Sequence, residues 1–133
     1  MFRAGSRAAV PLRTFATSSS RNANTLLFVE HKKGAINPAS LSALTAAQKL
    51  GGEIHALVAG SPSEAKSVAE AAAKVSGIAK VLVSTSEAFA NQLSEPLAPL
   101  IQSLVEAHSY THVVAGHTAV GRDVIPRAAV LLD

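Results

Sequence analysis

Apolar residues along this chain alternate between two spacings, short solid runs and helical faces. "TLLFVEH" (Thr25–His31) is a run long enough for one buried strand. "AINPASLSALTAAQKLGG" follows, with Asn37 as a helix cap, Pro38 at the first helical position, and Leu41, Leu44 and Leu50 at helical spacing before Gly51–Gly52. "EIHALVAG" (Glu53–Gly60) predicts a second strand. In "SPSEAKSVAEAAAKVSG", Ser61 and Glu64 have capping-box spacing, Ala65, Val68, Ala72 and Val75 form a small-residue face, and Gly77 ends the segment. "AKVLVSTS" (Ala79–Ser86) predicts a third strand, and "EAFANQLSE" a loop or short helical turn. "PLAPLIQSLVEAHS" carries Leu97, Leu100, Ile101, Leu104 and Val105 on one helical face. "YTHVVAG" predicts a fourth strand, and a last helix runs to Asp133.

The order is β-α-β-α-β-α-β-α. Strands apolar on both faces, joined by helical crossovers, imply an α/β fold with a parallel sheet and helices on both faces. Ligands in such sheets sit at the carboxyl ends of the strands. Those ends are Glu30–Lys33, Gly60–Ser61, Ser84–Ser86 and Gly116–Gly121. The apolar helix "RDVIPRAAVLLD" should feed a fifth strand. The expectation is therefore a domain truncated after its fourth βα unit, leaving an unpaired sheet edge.

Composition changes this picture in two places. There is no cysteine, which removes disulfides, thiolate zinc sites and iron–sulfur clusters. The formal charge of +3 misleads, because Arg3, Arg7, Arg13 and Arg21 all precede the first acid, Glu30. Without them the chain carries 8 basic and 9 acidic residues. Only Lys32–Lys33 pairs two cations there, which argues against nucleic-acid binding. No apolar stretch suits a membrane span. The leader "MFRAGSRAAVPLRTFATSSSRNAN" is rich in Arg, Ser and Ala and has no acid, the composition of a mitochondrial transit peptide. We expect a transit peptide over 1–24, cleaved between Phe15 and Ala23, and a partial α/β domain over 25–133.

The stretch "AGHTAVGRD" is the first candidate for chemistry. Gly116 and Gly121 have the glycine spacing of a phosphate loop, and Thr118 and Arg122 complete the candidate set. The motif then demands Lys and Ser/Thr, where Arg122 and Asp123 stand. A carboxylate at Asp123 would complement the helix dipole itself, which reads as a glycine turn and a self-capped helix. A helix starting near Arg122 or Asp123 would place Pro126 in its first turn, where proline costs little. His108 and His112 are four apart but straddle a helix-to-strand boundary, and His31, His55 and His117 are scattered, so they read as surface or loop residues rather than metal ligands. No G-x-S-x-G elbow occurs, and a serine set with His117 and Asp123 has no distinguishing spacing. Glu30 and Asp123 are acids near strand ends without an acid–base pairing.

Several segments in order carry a resemblance. "VEHKKGAINPASLSALTAAQKLGGEIHALVAG", "AAAKVSGIAKVLVSTS", "LSEPLAPLI" and "YTHVVAGHTAVGRDVIPRAAVLLD" resemble the α-subunit of mitochondrial electron-transfer flavoprotein, from about Leu26 onward. The resemblance implies an adenine-nucleotide-hydrolase-like N-terminal domain that pairs with a β-subunit. It implies FAD held largely by a C-terminal domain beyond Asp133, and a structural AMP in the partner subunit. It implies a matrix electron carrier from acyl-CoA and other dehydrogenases to a membrane-bound quinone oxidoreductase. The segment containing Gly116, Thr118, Gly121, Arg122, Asp123, Pro126 and Arg127 matches the family and reads as architectural. The alternative is a stand-alone adenine-nucleotide-binding domain using the Gly116 loop.

Overall fold

We analysed a computed structural model of the chain, which describes residues 24–133. The expected leader and its cleavage site lie outside the described residues. Six strands and four helices follow in order: β1 (Asn24–Phe28), β2 (His31–Lys32), β3 (Ala35–Ile36), α1 (Pro38–Leu50), β4 (Glu53–Gly60), α2 (Pro62–Ala73), β5 (Lys80–Thr85), a 3-10 turn (Glu87–Phe89), α3 (Ser94–His108), β6 (His112–Ala115) and α4 (Ala119–Leu132). The main sheet is entirely parallel, in the order β5-β4-β1-β6. The expected α/β architecture is therefore present.

Strand alternation explains the layers. Leu27, Val29, Ile54, Ala56 and Val58 pack on α1 and α2 through Ala43, Leu44, Ala47, Ala65, Val68 and Ala72. Leu26, Phe28, Leu57 and Ala59 face the other way, against Leu97, Ala98, Ile101, Val124 and Ala128 of α3 and α4. Successive side chains of β1 thus serve opposite cores, which is why its run is continuously apolar. Truncating a side chain as enclosed as Phe28 should cost about 3–5 kcal/mol.

Four local expectations need correction. First, the run expected as one strand to His31 ends at Phe28, and His31 opens a small hairpin. Its loop residues Lys33 (φ 53°) and Gly34 (φ 74°) both have the positive φ of a two-residue hairpin turn. Second, Leu41 and Leu50 are 44% and 41% exposed, and α1 instead buries Ser40, Ala43, Leu44 and Ala47. Small residues at that spacing let α1 lie close on the sheet, and the larger leucines fall outside the contact. Third, Ser61 makes no side-chain cap to α2; its Oγ meets Ser63 Oγ at 3.3 Å, while Glu64 turns toward His31. The capping box is not formed. Fourth, α4 starts at Ala119 with Thr118 as its cap, so Pro126 lies inside the helix rather than in its first turn. A proline there cannot donate to the Arg122 carbonyl one turn back. Pro99 is likewise inside α3.

Candidate functional site

The chain leaves β1 to one side of the sheet and β6 to the other, so the loops after them part at the strands' carboxyl ends. Open α/β sheets bind ligands in such a crevice. Here Glu30 fills the place where a ligand's anion would sit. Its N–H donates to Ser40 Oγ (2.9 Å), and its carbonyl accepts from Asn37 N (2.8 Å). Its carboxylate accepts from Asn37 Nδ2 (3.3 Å) and from the Thr118 hydroxyl.

Those two partners are themselves helix caps. Asn37 Oδ1 accepts from Ala39 N at 2.9 Å, as its sequence position predicts. Thr118 Oγ1 accepts from Gly121 N at 3.1 Å. One carboxylate is therefore tied to the starts of both α1 and α4, where the helix dipoles favour negative charge. The expectation of an internal carboxylate at the last helix was sound in kind, but the residue is Glu30 and not Asp123. Asp123 is exposed and beyond the first turn of α4, which contains no acid.

The glycines of the loop have a packing reason. A Cβ on Gly121 would collide with the Gly116 carbonyl oxygen. A Cβ on Gly116 would lie 2.8 Å from Ala39 Cβ and 3.0 Å from Ala39 backbone atoms. Neither glycine has positive φ. The spacing that suggested a phosphate cradle is a three-way backbone approach of α1, the β6 loop and α4. A phosphate entering this crevice would meet the Glu30 carboxylate and helix starts already capped by the chain. The described residues do not fit the pyrophosphate of FAD here.

Arg122, the remaining loop candidate, is exposed. It lines an apolar cavity of about 570 Å³ along the edge of β6, with Val113, Ala115, Ile125 and Pro126. Among the described residues β6 pairs with β1 alone.

The histidines divide. His108, His112 and His117 are exposed, as expected, but His31 is only 3% exposed and His55 is half-buried. His31 Nε2 lies 2.9 Å from Ala59 O. Its ring needs the space that Gly60 leaves, since a Cβ there would come within 2.8 Å of it. At the opposite end of the sheet, His55 Nδ1 shares a hydrogen bond with Tyr110 OH (2.6 Å), and His55 Nε2 faces Glu53 Oε2 (3.2 Å). Burial pushes the Tyr110 phenol above its ordinary value. No three His, Asp or Glu side chains among the described residues converge as a metal would require.

Sequence reasoning identified Asn37 as a cap, but it named Thr118 only as a loop candidate and missed both its capping role and the role of Glu30. The signal for Thr118 was present: a threonine three residues before Gly121, ahead of an apolar helix. Bridging by Glu30 joins Asn37 and Thr118, 81 positions apart, and needs the fold.

A parallel main sheet flanked by helices, with a capped crevice at its switch point, defines the class: an open α/β domain. Residues 25–133 match the electron transfer flavoprotein domain, and the chain belongs to that family. It is 42% identical over 118 residues (89% of this chain) to a protein of Cryptococcus neoformans var. neoformans named probable electron transfer flavoprotein subunit alpha, mitochondrial. It is 47% identical over 108 residues (81% of this chain) to the electron transfer flavoprotein subunit alpha of Pseudomonas aeruginosa. It is 43% identical over 117 residues (88% of this chain) to a Caenorhabditis elegans protein named as the probable mitochondrial subunit alpha. The matches cover 34%, 34% and 35% of those relatives, so the chain spans about a third of their length.

Proposed function

We propose that this chain is the N-terminal scaffold and subunit-docking part of an electron-transfer flavoprotein α-subunit. The observation that carries the reading is the match over residues 25–133 to relatives named as that subunit. In the complete assembly the α-subunit pairs with a β-subunit, FAD is held by residues beyond 133, and AMP sits in the partner. Electrons pass from acyl-CoA and other dehydrogenases to a quinone oxidoreductase through the flavin, which supplies the redox step when bound. This segment contributes a rigid base, with no catalytic residue of its own. The names of its eukaryotic relatives place the protein in the mitochondrion, and the acid-free leader fits import to the matrix.

The Glu30 network favours this reading over a stand-alone nucleotide-binding domain. The test is co-expression with a β-subunit, with and without a C-terminal extension taken from a relative. Flavin absorbance should appear only with the extension. A yellow protein from the 133-residue chain alone would contradict the assignment.

A further inference from the structure

Beside the capped crevice lies a second cavity of about 420 Å³, lined in part by His31 and by Ala90, Asn91 and Gln92. The last three belong to residues 87–92, which connect β5 to α3. This connection is tied to the rest of the molecule at few points. Phe89 N donates to Ser86 O, Ala90 N to Glu87 O, Gln92 N to Phe89 O and Ala88 N to Ser86 Oγ, so its backbone bonds are local. Among the described residues one hydrogen bond leaves it, from Gln92 Nε2 to the His31 carbonyl. Phe89 adds an apolar anchor, half-buried against the core under α3 and α4.

The closed form of this connection carries strain. Gln92 has φ 50°, in the left-handed region that disfavours a side chain. Its Oε1 is buried without a hydrogen-bond partner among the described residues, and so is Nδ1 of the His31 ring. Both atoms lack a partner whichever ring nitrogen of His31 holds a proton. Water would supply one to each if the connection lifted. Local backbone bonds, a single polar latch and a strained closed form mark a segment that opens well short of global unfolding. We propose that residues 87–92 form a hinged lid on this cavity, latched by Gln92 on the His31 carbonyl, and that its opening admits solvent and small solutes to the buried His31 ring. One hinge is Ser86, whose N–H is fixed to the Gly60 carbonyl at 3.1 Å. The other is Leu93, where α3 begins without a side-chain cap.

The test is amide hydrogen exchange of the full chain, followed by NMR at several low urea concentrations. The amides of Phe89, Ala90 and Gln92 should exchange through one shared opening, about a hundredfold or more as frequent as the opening that exposes β1. Their rates should not change with urea, whereas those of β1 should rise. Gln92→Met, which keeps the side chain's length and removes the latch, should make lid opening about tenfold more frequent. Gln92→Gly should open about fivefold less often than Gln92→Ala, because glycine carries no left-handed strain. Access to the cavity is read separately, by acylating the histidines with diethyl pyrocarbonate and mapping each by peptide mass spectrometry. His31 should react slowly in the parent chain and about tenfold faster in Gln92→Met, while the exposed His117 is unchanged. The proposal is overturned if the lid amides show the urea dependence of β1, if Gln92→Met leaves their opening unchanged, if the glycine and alanine variants open alike, or if His31 acylation does not follow the lid.

Discussion

Two regions lie side by side at the carboxyl end of the sheet, and they reverse the impression their sequences give. The Gly116–Gly121 loop has the punctuation of a ligand site, yet its glycines serve backbone contact and the chain's own Glu30 holds the adjoining helix caps. The neighbouring cavity has no motif, yet two of its lining residues, His31 and Gln92, each hold a buried side-chain atom without a hydrogen-bond partner among the described residues. Glycine spacing reports that backbones come close. It does not report whether the approaching group is a phosphate or another strand of the same chain. Polar groups that share no sequence motif reveal a pocket only once the fold brings them together.

The contrast can be broken by substitution, starting where packing is tightest. Gly121→Ala should destabilise the chain by about 3 kcal/mol, read as a lower urea midpoint, because the new Cβ meets backbone that cannot rotate away. Gly116→Ala should cost somewhat less, about 2 kcal/mol, because Ala39 can shift by a few tenths of an ångström. A loop whose glycines served only a phosphate would tolerate both changes.

Glu30→Gln comes next. It weakens charge-assisted bonds to Asn37 and Thr118, and a loss of about 1.5 kcal/mol is expected in the same melts. Thr118→Val should cost about 1 kcal/mol through the lost cap. The double variant should lose less than the sum of the two, because they share one network.

The smallest contrast concerns caps. Asn37→Ala should cost about 1 kcal/mol. Ser61→Ala, at a cap position without a side-chain bond to its helix, should fall within about 0.5 kcal/mol of no effect. Equal costs at the two positions would show that α2 is capped in solution by Ser61 after all.

A further check lies at the other end of the sheet. Burial raises the Tyr110 pKa above its ordinary 10.0, so the folded state holds that proton more tightly than the unfolded state. Stability from this group is therefore complete below pH 10.0 and falls as pH rises through the raised value. Tyr110→Phe should flatten that alkaline decline in a pH series of melts.

The layers were legible because they rest on local periodicity. Runs such as "LLFV" and "IHALVAG" announce strands covered on both faces, and Ala65, Val68 and Ala72 announce the buried side of α2. The helix starts were legible only where propensity and tertiary contact agreed. Asn37 caps α1 as its position suggests, whereas Ser61 and Glu64 read as a capping box until His31 offers Glu64 another neighbour. At α4, Asp123 drew the expected start too far along the chain, because the partner that makes Thr118 a cap residue, Glu30, is 88 positions away. Leu41 and Leu50 misled for a related reason: periodicity marks a helix, but the small residues beside them decide which face can approach a sheet.

The most direct test of the central claim is an amide NMR titration of the full chain with inorganic phosphate and then AMP, followed at Thr118, Gly121 and Arg122. If the loop is a packing device closed by Glu30, these amides should show no saturable shift up to millimolar ligand. A saturable shift centred on Gly121 would mean that the crevice does admit phosphate, and the account given for Glu30 and the two glycines would be wrong.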